Sequence, residues 1–180
     1  MPVQIGQKPA HDFAQPLGLL SDCHRRIERF LAVIAKVAAD ARGGPLNGDQ
    51  RQALGTALQY FREAAPRHTA DEEESLFPRL RAAGGDDEAL GELERLEADH
   101  DQADRLHAEA DRLGMDWLRD GVLPSGPASR LCEIAGEMTA LYAAHIEFED
   151  ARLFPMAGRV LPLDIQREIG REMAARRFQR

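Results

Sequence analysis

His68-Thr69-Ala70-Asp71-Glu72-Glu73-Glu74-Ser75-Leu76-Phe77-Pro78 is nearly repeated 77 residues later as His145-Ile146-Glu147-Phe148-Glu149-Asp150-Ala151-Arg152-Leu153-Phe154-Pro155. Five of the eleven columns are identical, and a sixth exchanges one acid for another, Glu73 against Asp150. Each copy places a carboxylate four residues after a histidine, a spacing that stacks both side chains on one face of a helix. Nitrogen and oxygen donors presented this way, twice in one chain, suit a pair of metal ions held between helices. The duplication points to a symmetric site rather than an isolated motif.

The repeat extends upstream. Leu20-x-x-x-His24 aligns with Leu96-x-x-x-His100 at an offset of 76, so the donors run His24, His68, Glu72 and then His100, His145, Glu149. The two histidines of each half lie 44 and 45 residues apart. Scattered surface histidines would not match so closely. A unit this long, present twice, reads as a duplicated helical hairpin and not as a solenoid.

Composition agrees with helices. The 180-residue chain is 43% hydrophobic but only 6% aromatic, and it is rich in Ala, Leu, Arg and Glu, which favours helix over sheet. Its length suits one domain, residues 1–180, with one core. A net charge of −8 and the lack of a Lys/Arg run argue against a nucleic-acid surface. No stretch approaches the roughly 18 apolar residues a membrane span needs. Met1 to Gln15 lacks the charged and apolar regions of a secretory signal. Cys23 and Cys132 do not suggest a disulfide framework. The expectation is a cytoplasmic protein with no nucleic-acid or membrane partner.

The spacing predicts an all-α, up-down-up-down antiparallel four-helix bundle over about 15–160, with a short extra helix over about 164–177 outside it. The first helix opens near Pro16, stops before Gly43-Gly44, and carries the stripe Leu17, Leu20, His24, Ile27, Leu31, Ile34, Ala38. The second runs from about Asp49 to Ala82, kinked at Pro66, and Pro78 should distort its ladder. The third spans about Asp87 to Leu113, with Gly114 to Pro127 as a connection whose Trp117 and Leu118 cover the bundle end. The fourth runs from about Ala128 to Arg159. At about 1.5 Å per residue, His24 lies roughly 27 Å before the first turn and His68 about 30 Å after it. The two therefore meet at one level.

Four histidines and two glutamates suffice for two ions, each with two imidazoles and one oxygen from each of two bridging carboxylates. Room remains for an oxo or hydroxo bridge and an exchangeable ligand. Such donors suit iron, manganese or zinc better than calcium or magnesium. Without metal, two carboxylates would sit unpaired in an apolar bundle.

The order His, His-x3-Glu, His, His-x3-Glu, with Leu-Phe-Pro after each glutamate, resembles the bacterial hemerythrin-like (HHE cation-binding) family over roughly Gln15 to Ala157. The resemblance implies a bundle around a non-haem di-iron centre, with His24, His68, Glu72, His100, His145 and Glu149 as metal ligands. Oxygen-carrying members place a further histidine four residues after the third-helix one, where this chain has Asp104. That departure is closer to the branch that repairs iron centres after nitrosative or oxidative damage, although with 23 residues before His24 that branch's cysteine-bearing domain is not expected. The leading expectation is a protein that binds or senses oxygen, nitric oxide or peroxide, or handles iron. A di-iron oxidoreductase or repair protein and a structural zinc or manganese bundle stand as alternatives.

Other side chains near the motif read differently. Glu28 and Asp104, one turn beyond His24 and His100, are expected to be solvated or to support a ligand. His107 lies about 10 Å along the axis from His100 and reads, like His11, as a surface or capping histidine. Tyr142 is a buried tyrosine with an ordinary partner or a hydroxyl aimed at the site. Cys23 reads as a half-buried thiol.

Overall fold

A computed structural model describes residues 10–178, which are almost entirely helical, with no strand among them. Most of the N-terminal stretch that lacks the marks of a secretory signal, residues 1–9, lies outside that range. Helix α1 spans Pro16–Ala41 and α2 Gly48–Glu63, followed by α3 Ala65–Ala70, a π-helical turn Asp71–Leu76 and α4 Phe77–Ala83. The second half repeats the plan as a short α5 Asp87–Gly91, α6 Leu93–Asp120, α7 Ser125–Phe148, a π turn Glu149–Leu153 and α8 Phe154–Val160, and α9 Leu163–Phe178 closes the chain.

Contacts at the two ends fix the directions. Trp117 Nε1 donates to Gly44 O at 2.9 Å, Arg51 to Leu118 O at 2.5 Å, and Leu123 N to Gly43 O at 2.8 Å. The end of α1, the start of α2, the end of α6 and the start of α7 thus share one pole. At the other pole Arg152 reaches Glu88 at 3.1 Å and Leu17 lies beside Gly158. Helices α1 and α6 each pack on α2 and on α7. Neighbouring long helices thus run in opposite directions, and α9 packs against α1, α3 and the first π turn.

Three boundaries differ from the sequence reading, the first being a break at Glu92 that divides the expected third helix into α5 and α6. Helix α6 does not stop at Leu113 but continues to Asp120, ending at Gly121 with φ 79°. Gly114 is a buried packing position within it, 2.5 Å in Cβ reach from Leu58 Cδ1. A helical glycine costs only about 1 kcal/mol against alanine, and close packing on Leu58 offsets that. Trp117, fully buried, does cover the bundle end, but from the helix itself. Helix α7 begins at Ser125, three residues before the expected start at Ala128.

Pro66 and Pro78 act as their chemistry dictates. Pro66 lacks the N–H owed to Arg62, and the ladder breaks at Ala64. Pro78 and Pro155 each follow a π turn, in which Phe77 N donates to Glu72 O and Phe154 N to Glu149 O, five residues back. A π turn rotates less per residue, so consecutive side chains fan over a narrower arc. The core divides in two: Leu20, Leu76, Leu96 and Leu153 belong to one apolar cluster, and Ile27, Ala65, Ala103 and Tyr142 to the other. The four motif histidines lie between them.

Candidate metal centre

Each of the six residues singled out by the repeat arrives from a different turn of the bundle, and all are buried between 0% and 5% exposure. His24 comes from α1, His68 from α3, His100 from α6, His145 from α7, and Glu72 and Glu149 from the two π turns. His68 Nε2 lies 3.4 Å from Glu72 Oε1 and His145 Nε2 3.3 Å from Glu149 Oε2, the two i,i+4 pairs. Across the bundle, His24 Nε2 is 3.1 Å from Glu149 Oε2 and 3.8 Å from Glu72 Oε1, and His100 Nε2 is 3.3 Å from Glu72 Oε2.

The donors form two overlapping groups, His24 with His68 and His100 with His145, and both include Glu72 and Glu149. In each group the candidate ligand atoms lie within 4.8 Å of one another. Glu72 spans the groups, with Oε1 toward His68 and Oε2 toward His100.

These close approaches are not hydrogen bonds. His24, His100 and His145 Nε2 and all four oxygens of Glu72 and Glu149 are buried without a hydrogen-bond partner. Buried polar atoms are nearly always paired, so seven unpaired donors converging on one layer demand a common partner. A cation suits them: the atoms are lone-pair donors, and the donor set is the mixed imidazole and carboxylate set of first-row transition metals.

The electrostatics carry the same mark. Burial alone would push the Glu72 carboxyl up, but the imidazoles of His68, His100 and His24 hold it well below the ordinary range. Burial likewise opposes charge on His24, yet the Asp150, Glu149 and Glu72 carboxylates raise it well above its usual value, and His100 stands at about 9. His68 is the exception: burial dominates and lowers it to about 4.

A surrounding set of acids escaped the sequence reading. His24 Nδ1 lies 3.0 Å from Asp150 Oδ1, which also accepts from Ser21 Oγ at 2.7 Å, and Arg25 pairs with the other Asp150 oxygen. His100 Nδ1 lies 2.8 Å from Glu73 Oε1, and His145 Nδ1 3.3 Å from Asp99 Oδ2. The signal for two of these was in the repeat, in the column where acid replaces acid. The phenylalanines of Leu-Phe-Pro stack on the same rings, Phe154 on His24 at 5.4 Å and Phe77 on His100 at 6.3 Å between centroids. Each repeated segment therefore steadies the first-helix histidine of the opposite half.

The remaining residues sort plainly. Glu28 is exposed and bonded to Arg25, and Asp104 is exposed on the wall of a roughly 350 Å³ cavity between α2 and α6. His11 bonds Asp22 at the start of α1. His107 corrects the reading of a surface histidine. It is 9% exposed, packs against the Phe61 ring and lies 3.3 Å from the Tyr142 hydroxyl, because α6 turns its i+7 position inward. Tyr142 thus has an ordinary partner. Cys23 is buried rather than half-buried, and burial pushes its thiol up.

Similarity to known proteins identifies the family. The hemerythrin HHE cation-binding domain matches residues 15–157, so the chain belongs to that family. It is also similar to an uncharacterized protein of Haemophilus influenzae, 28% identical over 165 residues that cover 91% of this chain and 90% of that protein. No helix among the described residues is long and apolar enough to cross a membrane.

Proposed function

We propose that this is a non-haem di-iron protein that binds or senses a small ligand such as oxygen, nitric oxide or peroxide, or that handles iron. His24 and His68 would hold one ion and His100 and His145 the other, with Glu72 and Glu149 available to both. The carrying observation is the layer of seven unpaired buried donor atoms. Two iron ions held there would supply one-electron redox chemistry. The chain's own part is to orient the rings through Asp150, Glu73 and Asp99, and to keep water away with an apolar cluster on either side. Those walls suit a small uncharged ligand. Two free cysteines, Cys23 and Cys132, suit a reducing, cytoplasmic setting.

Metal analysis with an optical spectrum of anaerobically isolated protein tests the reading. Two iron ions per chain, electronically coupled, are expected. One uncoupled ion at full loading would sink the shared-carboxylate arrangement, and stoichiometric zinc would make the bundle a structural one. Anaerobic reduction followed by peroxide or nitric oxide then separates binding from turnover. A binding protein gives one stoichiometric spectral change, an oxidoreductase continued consumption.

A further inference from the structure

The two ion positions differ in what stands behind their imidazoles. His100, His145 and His24 each turn Nδ1 to a carboxylate: Glu73, Asp99 and Asp150. Asp99 is itself held by Arg95 at 2.7 Å. His68 Nδ1 is buried and has no hydrogen-bond partner among the described residues. The repeat shows where its acid would have come from. Asp99 precedes His100 as Cys23 precedes His24, and the Cys23 sulfur instead takes an N–H from Arg26 at 3.3 Å.

A carboxylate on Nδ1 fixes the tautomer that leaves Nε2 free to bind metal, holds the ring plane and strengthens the donor. One pair of rings, His100 and His145, has this support twice, and the other pair has it once. Resting on the di-metal reading above, we infer that the two ions are held unequally. The ion between His100 and His145 is anchored, with Asp99 as the positioning residue, while the ion between His24 and His68 exchanges. The same bundle can then give up or take in one iron(II) ion while the other keeps Glu72 and Glu149 in place.

The test uses metal-free full-length protein loaded with two equivalents of zinc(II) and challenged with graded EDTA. Ring nitrogens are followed by 15N-histidine NMR. One equivalent should leave at about tenfold to a hundredfold lower chelator than the other, the range typical of ligand-orienting partners. The His68 and His24 signals should revert first. Asp99→Ala should weaken the retained ion until both leave together, and Asp99→Glu should restore the gap, which general damage to the fold would not permit. Simultaneous release from the wild type, or earlier reversion of His100 and His145, overturns the inference. If neither zinc nor iron(II) binds at all, the di-metal reading itself fails and this inference falls with it.

Discussion

The halves of the chain hold the same donors in different surroundings. His24 and His100, His68 and His145, Glu72 and Glu149, and the Leu-Phe-Pro tails occupy matching places. At other positions the match stops. Asp71 is fully buried and takes Arg176 at 3.0 Å and Arg177 at 2.6 Å from α9. Its counterpart Phe148 lies under the guanidinium groups of Arg95 and Arg152, 5.4 and 5.7 Å from its ring centre. Leu31 is matched by His107, and Ala65 by Tyr142. The difference teaches what the site constrains. Positions aimed at the shared donor layer stayed alike, whereas those aimed at α9 or at the distal core took whatever their neighbours required.

The strongest break of this comparison is removal of a shared carboxylate. Glu72 and Glu149 belong to both donor groups, so Glu72→Ala and Glu149→Ala should each harm both ion positions. We expect a loss of metal affinity above about a hundredfold for either, beyond the range of ring-orienting partners. Isothermal titration with zinc(II) measures it. A variant of one glutamate that still held two ions would show the halves to be unequal at the donors themselves.

Among the described residues, the arginine clamp from α9 closes on Asp71 of the first half and not on its counterpart Phe148. Asp71→Ala leaves two guanidinium groups short of a partner, and removing one side of a buried pair costs about 3–5 kcal/mol. Both arginine side chains keep some exposure, 18% and 22%, so the expected loss is nearer 3 kcal/mol. Phe148→Ala, at the matching place and only half-buried, should cost about 1 kcal/mol. Urea denaturation of the metal-free variants compares them. Equal losses would mean that α9 adds nothing to the first half.

The Leu31 and His107 pair separates the halves by pH. Burial lowers His107 to about 4 from 6.5, so it is neutral in the folded protein at pH 7. The unfolded chain takes up a proton below pH 6.5 but the folded chain only near 4, so stability falls as pH drops between these values and levels off below them. The cavity beside His107 moderates the effect, to on the order of 2 kcal/mol. His107→Leu, which makes the halves alike, should flatten this part of the acid profile. The difference between wild-type and variant denaturation at pH 7 and pH 4.5 isolates it from the other histidines. An unchanged difference would place the acid sensitivity elsewhere.

Most of the fold was legible because its signals are periodic. The stripe through His24, the glycine pair at 84 and 85 and the matched spacing of the histidines were enough for an all-α bundle and for bringing six side chains to one level. What was not legible depended on neighbours in space. Gly114 reads as a terminator, yet Leu58 across the interface makes it a packing position. His107 reads as outlying because distance from His100 was the criterion, whereas its burial follows from Phe61 and Tyr142 on other helices. Asp99 carried no motif at all. Its role appears only when His145 arrives from α7. Glu73 and Asp150 were half-legible, since an acid kept in both copies of the repeat already marked a shared task.

The smallest expected effect tests how far the donor set extends. Glu28 and Asp104 are matching positions one turn past His24 and His100. In the oxygen-carrying members of the family, from which this sequence departs, the second of these places holds a further histidine. Here both side chains are exposed, Glu28 bonded to Arg25 at 2.8 Å and Asp104 on the wall of a cavity whose lining includes none of the six donors. Exposed substitutions free of buried partners shift stability by no more than about 0.5 kcal/mol. Glu28→Ala and Asp104→Ala should therefore stay within that range and bind the same number of ions as the wild type, as metal analysis after loading would report. Loss of an ion from Asp104→Ala with Glu28→Ala unaffected would mean that the second half reaches one turn further toward the metal than the first. The two halves would then differ in their donors and not only in what surrounds them.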